Sequence, residues 1–254
     1  WLKFYKLMHL ARCPLHAAWP VLAVGRCWRQ RRLRHLRRRS AASVPGALEE
    51  ALRLCYGAED EKPGEVGLSE YVAVFRPGRH SAAYGEVTPE GFAQLLDRAA
   101  PGPDDMFWDL GSGMGRTVLQ AHMCSPVRRA SGVELSLERH AQAAAALGRL
   151  REAGLVDPGR EVEARHGDFL CEDLAGASLV YVASLTFHRE VLSELARKLR
   201  REARPGASVF TMSPFPPEDE GPDCPRRWIL EGALRVPCTW DAAVEVLHYR
   251  LGEP

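Results

Sequence analysis

Residues 107–120 read FWDLGSGMGRTVLQ, and the fold turns on them. The apolar run Met106-Phe107-Trp108 ends in Asp109, and Gly111, Ser112, Gly113 and Gly115 follow before the helix-forming Arg116-Thr117-Val118-Leu119-Gln120. Strand, glycine turn and helix in that order make the first crossover of a parallel α/β sheet, where ligands bind beyond the carboxyl ends of the strands. The glycines allow a sharp turn and a close backbone approach to a ligand.

A GxGxG turn is moderately specific, whereas GxGxxG would point to a dinucleotide. Asp109 stands two residues before the first glycine. A carboxylate there suits a cationic ligand and would repel a pyrophosphate. The charge argument therefore favours S-adenosylmethionine, with its ammonium and sulfonium, over NAD. A second apolar run, 130–133, ends in Glu134, placing an acid at the second strand end where ribose hydroxyls are held in both cofactor classes. Gly167-Asp168-Phe169 follows a strand expected over 160–165 and offers an acceptor for an adenine amino group and a ring to stack on the base. The bland alternatives are a glycine turn without a ligand and Phe169 as ordinary core.

Outward from this centre, Thr88 is expected to N-cap a helix starting at Pro89, preceded by a short amphipathic helix over 47–56 and an irregular segment over 71–84. Downstream, helices are expected over 115–124, 136–150 and 189–203, with strands over 129–134, 160–165, 179–185 and 207–212. Runs 228–236 and 244–251 read as an antiparallel hairpin at the sheet edge. The result is an α/β fold with a seven-stranded Rossmann-like methyltransferase sheet and helices on both faces. The domain reading is a basic, flexible arm (1–44), an N-terminal helical and cofactor-loop segment (45–105), and a catalytic core (106–254).

At 254 residues, 46% hydrophobic and 26% charged, the composition is that of an ordinary globular protein. The net charge of +1 hides an asymmetry. Residues 1–40 hold 11 Lys or Arg and no acid, leaving 23 basic against 33 acidic residues in the remainder. The arginine run 26–39, RCWRQRRLRHLRRR, fits three uses: neutralising DNA phosphates, an organellar transit peptide, or a solvated tail. Seven scattered cysteines without a CxxC, and histidines without zinc-ligand spacing, read as free thiols and no metal site. The apolar stretch 17–25 contains Pro20 and is too short to span a bilayer. The chain begins with Trp1 rather than Met, which leaves open whether its N-terminus is complete.

The strings YGE at 84–86, FWDLGSGMGRTVLQA at 107–121, GVE at 132–134 and GDFL at 167–170 resemble those of non-SET histone lysine methyltransferases of the disruptor-of-telomeric-silencing type. That family methylates a lysine on the nucleosome core face of histone H3. The resemblance continues through LVYVASLTF (179–187) and VFTMSPF (209–215) to Trp240 and Leu247-His248. It implies a nuclear enzyme that acts on chromatin, with an organelle as the alternative if the arm is a transit peptide. It implies that Tyr84 and Glu86 belong to the loop closing over the methionine end of the cofactor. Asp109, Gly111 and Gly113 would hold the amino-acid part, with Gln120 on the helix behind it. Glu134 would bind the ribose, Asp168 and Phe169 would flank the adenine, and Phe187 would line the lysine channel.

The chain departs from the family at Ala183 and Ser184, where two asparagines are usual, and at Glu245, near the place of a channel tyrosine. It departs again at Thr211-Met212-Ser213. Ser184 and Thr186 are expected to orient the acceptor amine; Tyr181, Trp240 and His248 read as structural. These departures keep two alternatives open: a non-histone protein or small molecule as acceptor, and a cofactor-binding module without catalysis.

Overall fold

The computed structural model describes residues 46–57, 64–75, 82–216 and 226–253. The expected arm, its arginine run and any DNA contact through it lie outside the described residues. Two helices, α1 (Gly46–Tyr56) and α2 (Leu68–Val74), precede α3 (Pro89–Ala99) and β1 (Met106–Leu110). The chain continues through α4 (Arg116–Cys124), β2 (Arg129–Glu134), α5 (Leu137–Glu152), β3 (Glu161–His166) and β4 (Leu179–Val182). Then come α6 (Arg189–Glu202), β5 (Ser208–Thr211), β6 (Trp228–Val236) and β7 (Val244–Leu251).

The strands form one sheet in the order β3-β2-β1-β4-β5-β7-β6. The first five pair in parallel, and β7 runs antiparallel to both β5 and β6. This is the expected seven-stranded methyltransferase sheet with its edge hairpin. The strand order reverses between β1 and β4, so the glycine turn after β1 opens at the switch point where such sheets bind ligands.

Successive strand residues face opposite sides of the sheet. Phe107, Tyr181 and Phe210 accordingly pack with Phe92 and Leu119 on one side. Trp108, Leu110, Val180, Val182 and Val209 pack with Leu195 and Leu199 of α6 on the other. Both layers are closed to water, as in an α/β sheet covered on its two faces. Asp109 falls on the Phe107 side, opposite Tyr181 in the β1–β4 register.

The helix caps follow the sequence. Thr88 Oγ1 accepts the Gly91 N–H (3.1 Å) and Ser136 Oγ accepts the Arg139 N–H (3.2 Å). Two expectations change. The strand expected over 179–185 stops at Val182, and Ser184–Thr186 form a 3₁₀ turn instead. The turn is held because Ser184 Oγ accepts the N–H groups of Met212 (3.1 Å) and Ser213 (2.9 Å). The segment expected to be irregular from Tyr71 begins as helix, for α2 runs over Leu68–Val74. Its buried Glu70 caps α5 by accepting the N–H groups of Leu137 and Glu138. Its ring partner Tyr71–Phe75 (6.2 Å) steadies the last turn.

Candidate functional site

The site starts where β1 ends. The N–H groups of Gly111 and Ser112 both donate to the Val133 carbonyl (2.9 and 3.0 Å), which docks the turn on β2. Gly113 takes φ +53° and donates its N–H to Glu134 Oε2 at 2.8 Å. A Cβ on Gly113 would lie 2.6 Å from the Tyr84 ring, so the residue is glycine for space as well as conformation. The other Glu134 oxygen accepts the Ser136 N–H at 2.9 Å. The carboxylate is thus fixed by two backbone donors and keeps further lone pairs for a ligand hydroxyl.

Residues 82–86 close over this turn. The Tyr84 hydroxyl donates to Glu86 Oε1 (2.5 Å) and accepts the Met114 N–H (3.3 Å). Glu86 Oε2 pairs with Arg116 Nε at 2.9 Å, and the Arg116 guanidinium lies 4.0 Å over the Tyr56 ring. The Glu86 backbone exchanges hydrogen bonds with Thr239, so the segment is tied to the β6–β7 connection. Arg139 of α5 holds the segment from below. Its guanidinium donates to Gly64 O (2.8 Å) and Ala82 O (2.6 Å) and sits 4.7 Å over the Tyr84 ring. Burial, and then Glu86, push the Tyr84 phenol well above its usual range, so it stays a donor.

A cavity of about 270 Å³ opens beside the turn. Tyr84, Gly111, Gly113, Glu134, Leu135 and Phe169 line one half; Ala183, Leu185, Thr186, Phe187, Met212 and Trp240 line the other. The stacked rings of Phe169 and Phe187 (5.7 Å between centroids, 13° between planes) join the halves. A smaller cavity of about 30 Å³ adjoins it and shares Tyr84, Gly85, Gly111, Gly113 and Ala183. Glu86, Val87, Asp109, Ser112, Arg116, Thr117 and Tyr181 complete its walls.

Asp109 is 3% exposed. One of its oxygens accepts the Thr117 hydroxyl, and the other has no partner among the described residues. Burial raises its carboxyl to about 7; Thr117 opposes the rise, while Glu134 and Glu86 add to it. Ser112 Oγ and Tyr181 Oη are likewise buried without a partner among the described residues. Buried polar atoms are nearly always paired, so three orphans on residues lining one small cavity mark a place made for a polar group. An acid acceptor beside hydroxyls fits the zwitterionic end of S-adenosylmethionine, and the larger cavity with Glu134 and Phe169 fits its adenosyl part.

The expected residues divide three ways. Tyr84, Gly111, Gly113, Glu134, Phe169 and Phe187 line the main cavity; Glu86 and Asp109 line the small one. Gln120, Asp168 and Ser184 line neither. Gln120 is buried with its amide donating to the Pro89 carbonyl (2.7 Å), which braces α3 against α4. Asp168 turns back to accept the Leu170 N–H (2.9 Å). Ser184 is fully buried, and its hydroxyl, already holding two N–H groups, also bonds Thr211 Oγ1 (2.6 Å). It cannot orient an amine from there; Thr186 is the hydroxyl of that turn that lines the cavity.

Glu245 is exposed and sits opposite Arg235 on the outer hairpin, so it does not take the place of a channel tyrosine. His248 is buried against Phe210 (4.4 Å) and Ser208, as a structural histidine. Trp240, read as structural, instead forms a half-exposed part of the cavity rim against Gly85. Sequence reasoning missed Arg139, whose only signal is a cation in the first turn of α5, where acids are the favoured residues. Among the described residues Cys55, Cys124, Cys171 and Cys238 are free thiols, no group of three or more metal-ligating side chains exists, and no helix is long and apolar enough to cross a membrane.

A seven-stranded sheet of this order, with a glycine turn bound to an acid at the end of β2, defines the class I methyltransferase fold. Residues 69–221 match the family model "Histone methylation protein DOT1", and the chain belongs to that family. It is 25% identical over 166 residues (61% of this chain, 17% of the relative) to an H3 lysine-79 specific histone-lysine N-methyltransferase of Caenorhabditis elegans. It is 29% identical over 179 residues (68% of this chain, 9% of the relative) to the Drosophila melanogaster protein of the same name. A protein-lysine N-methyltransferase of Saccharolobus islandicus (strain REY15A) is 32% identical over 125 residues, 49% of this chain and 72% of the relative. The matched region is thus a small part of the two animal proteins and most of the archaeal one.

Proposed function

We propose that this chain is an S-adenosylmethionine-dependent protein lysine N-methyltransferase that acts on histone H3 in the nucleosome core. The observation that carries the reading is the pair of joined cavities: a small one around the buried Asp109 and a larger one lined by Glu134 at one place and by Leu185 and Trp240 at another. When bound, S-adenosylmethionine supplies a methyl group activated on a sulfonium. Asp109 would hold its ammonium, Glu134 its ribose hydroxyls, and Phe169 its base, with Tyr84 and Glu86 closing the near side.

The acceptor side supports an amine. Leu185 and Trp240 are about half exposed at the mouth, and Val191, Phe187 and Met212 line the way in. Such a channel desolvates a lysine side chain and lowers its pKa, which yields the neutral nucleophile. Thr186, which lines the cavity, would accept or donate one hydrogen bond to the amine. In-line transfer then needs alignment more than a general base.

A second reading, a non-histone protein or small molecule as acceptor, draws on Ala183 in the cavity wall and on the extent of the archaeal match. A nuclear location and DNA contacts through the arginine arm follow only from the histone reading. Methyl-labelled cofactor offered with nucleosomes, free histones and a cell lysate separates them. Label on nucleosomal H3 supports the first reading; label on other proteins or on small molecules supports the second. Label on nothing, with cofactor bound tightly, leaves a non-catalytic binding module.

A further inference from the structure

Tyr181 lies in the middle of the sheet, where the sequence reads it as core. Its ring is core: it packs edge-on against Phe92 (6.0 Å, 65°) and is 3% exposed. Its hydroxyl is not accounted for by the fold. It is buried and has no hydrogen-bond partner among the described residues. A phenylalanine would fill the same space without burying an unpaired hydroxyl.

The hydroxyl has a direction. Tyr181 is the β4 partner of Asp109 in the parallel register, so the two side chains leave the sheet on the same face. Both line the small cavity, as do Ser112 and Ala183. The short Ala183 side chain leaves room there, and a cavity of about 30 Å³ is large enough for a small polar group. Asp109 and Tyr181, each with a buried oxygen that has no partner among the described residues, line it together with Ser112 and Arg116. That set matches an α-amino acid end, which carries both an ammonium and a carboxylate.

We propose that Tyr181 is a cofactor-binding residue whose hydroxyl hydrogen-bonds the α-amino-acid end of the cofactor beside Asp109. The proposal rests on the S-adenosylmethionine reading above and adds to it a residue outside the glycine motif. It assigns to β4 a share in gripping the methionine end, while the adenosyl half depends on β2 and the segment after β3.

The test is titration calorimetry of the full chain and of Tyr181→Phe with two probes. S-adenosylhomocysteine carries the amino-acid end, and methylthioadenosine has the same adenosyl thioether without it. The expected result is an affinity for S-adenosylhomocysteine about tenfold weaker in the variant, the size of one lost hydrogen bond. Affinity for methylthioadenosine stays unchanged, and the ligand-free variant melts no lower than the parent. Equal affinity for S-adenosylhomocysteine, or equal losses for both probes, would overturn the proposal. So would a variant that melts earlier or fails to fold, since the hydroxyl would then serve the fold. A parent chain that binds neither probe would instead remove the cofactor reading itself, and this proposal with it.

Discussion

The Gly113 N–H donates to the Glu134 carboxylate at 2.8 Å, so the turn after β1 and the acid after β2 form one unit. Replacing Glu134 with Ala would remove the proposed ligand for the ribose hydroxyls and also free the turn. Charge-assisted hydrogen bonds are about twice as strong as neutral ones. The expected outcome is S-adenosylhomocysteine binding weaker by at least about tenfold, read by calorimetry. Affinity equal to that of the parent would mean that the ribose lies elsewhere.

As the proposed ligand of the cofactor ammonium, Asp109 should make binding depend on pH. Its folded-state carboxyl is raised to about 7, above the ordinary carboxylate range. In the ligand-free protein the raised value favours the protonated fold, so this contribution to stability is present at low pH and is lost as pH rises towards 7. Holding an ammonium needs the ionised form. Affinity for S-adenosylmethionine is therefore expected to rise from about pH 6 to about pH 8, with proton release on binding near the lower end. Asp109→Asn should bind weakly and show little of this dependence. An unchanged pH profile in that variant would take the ammonium away from Asp109.

Ser184→Ala separates a structural hydroxyl from a catalytic one. The hydroxyl holds the N–H groups of Met212 and Ser213, both of which would lose a buried partner. Stability should fall by about 1–3 kcal/mol in a denaturant titration, with cofactor affinity close to that of the parent. A methyl-transfer rate that collapses while stability holds would restore Ser184 to the reaction.

Arg139→Ala should release the segment over the turn, because its guanidinium bridges Gly64 O, Ala82 O and the Tyr84 ring. Faster amide hydrogen exchange over residues 82–86 and weaker cofactor binding are expected together. Lys at this position should not rescue either, since one ammonium cannot replace the planar fork. Unchanged exchange in the alanine variant would place the clamp elsewhere.

The parts of the molecule legible in the sequence are those set by local chemistry. The glycine turn, the caps at Thr88 and Ser136, and the alternation of apolar runs with amphipathic helices specify the sheet almost element by element. Ser184 was misplaced because its role depends on backbone N–H groups 28 and 29 residues away, which no local pattern reveals. Arg139 reaches the turn from α5 through carbonyls 57 and 75 residues distant, so it reads as a surface cation until the helix is docked. Tyr181 sits in a run of apolar strand residues where periodicity assigns the ring correctly and says nothing of the hydroxyl. Phe169 and Phe187 read separately as an adenine stacker and a channel wall, yet their rings stack on each other in the cavity lining.

The central claim is that the two joined cavities bring a methyl sulfonium to a lysine amine. The most direct measurement is to react the full chain with methyl-labelled S-adenosylmethionine and nucleosomes, hydrolyse the product in acid, and identify the labelled amino acid. The account predicts label in Nε-methyl-lysine, from histone H3, and none with Asp109→Ala. Label in another amino acid, or equal labelling by Asp109→Ala, would contradict it.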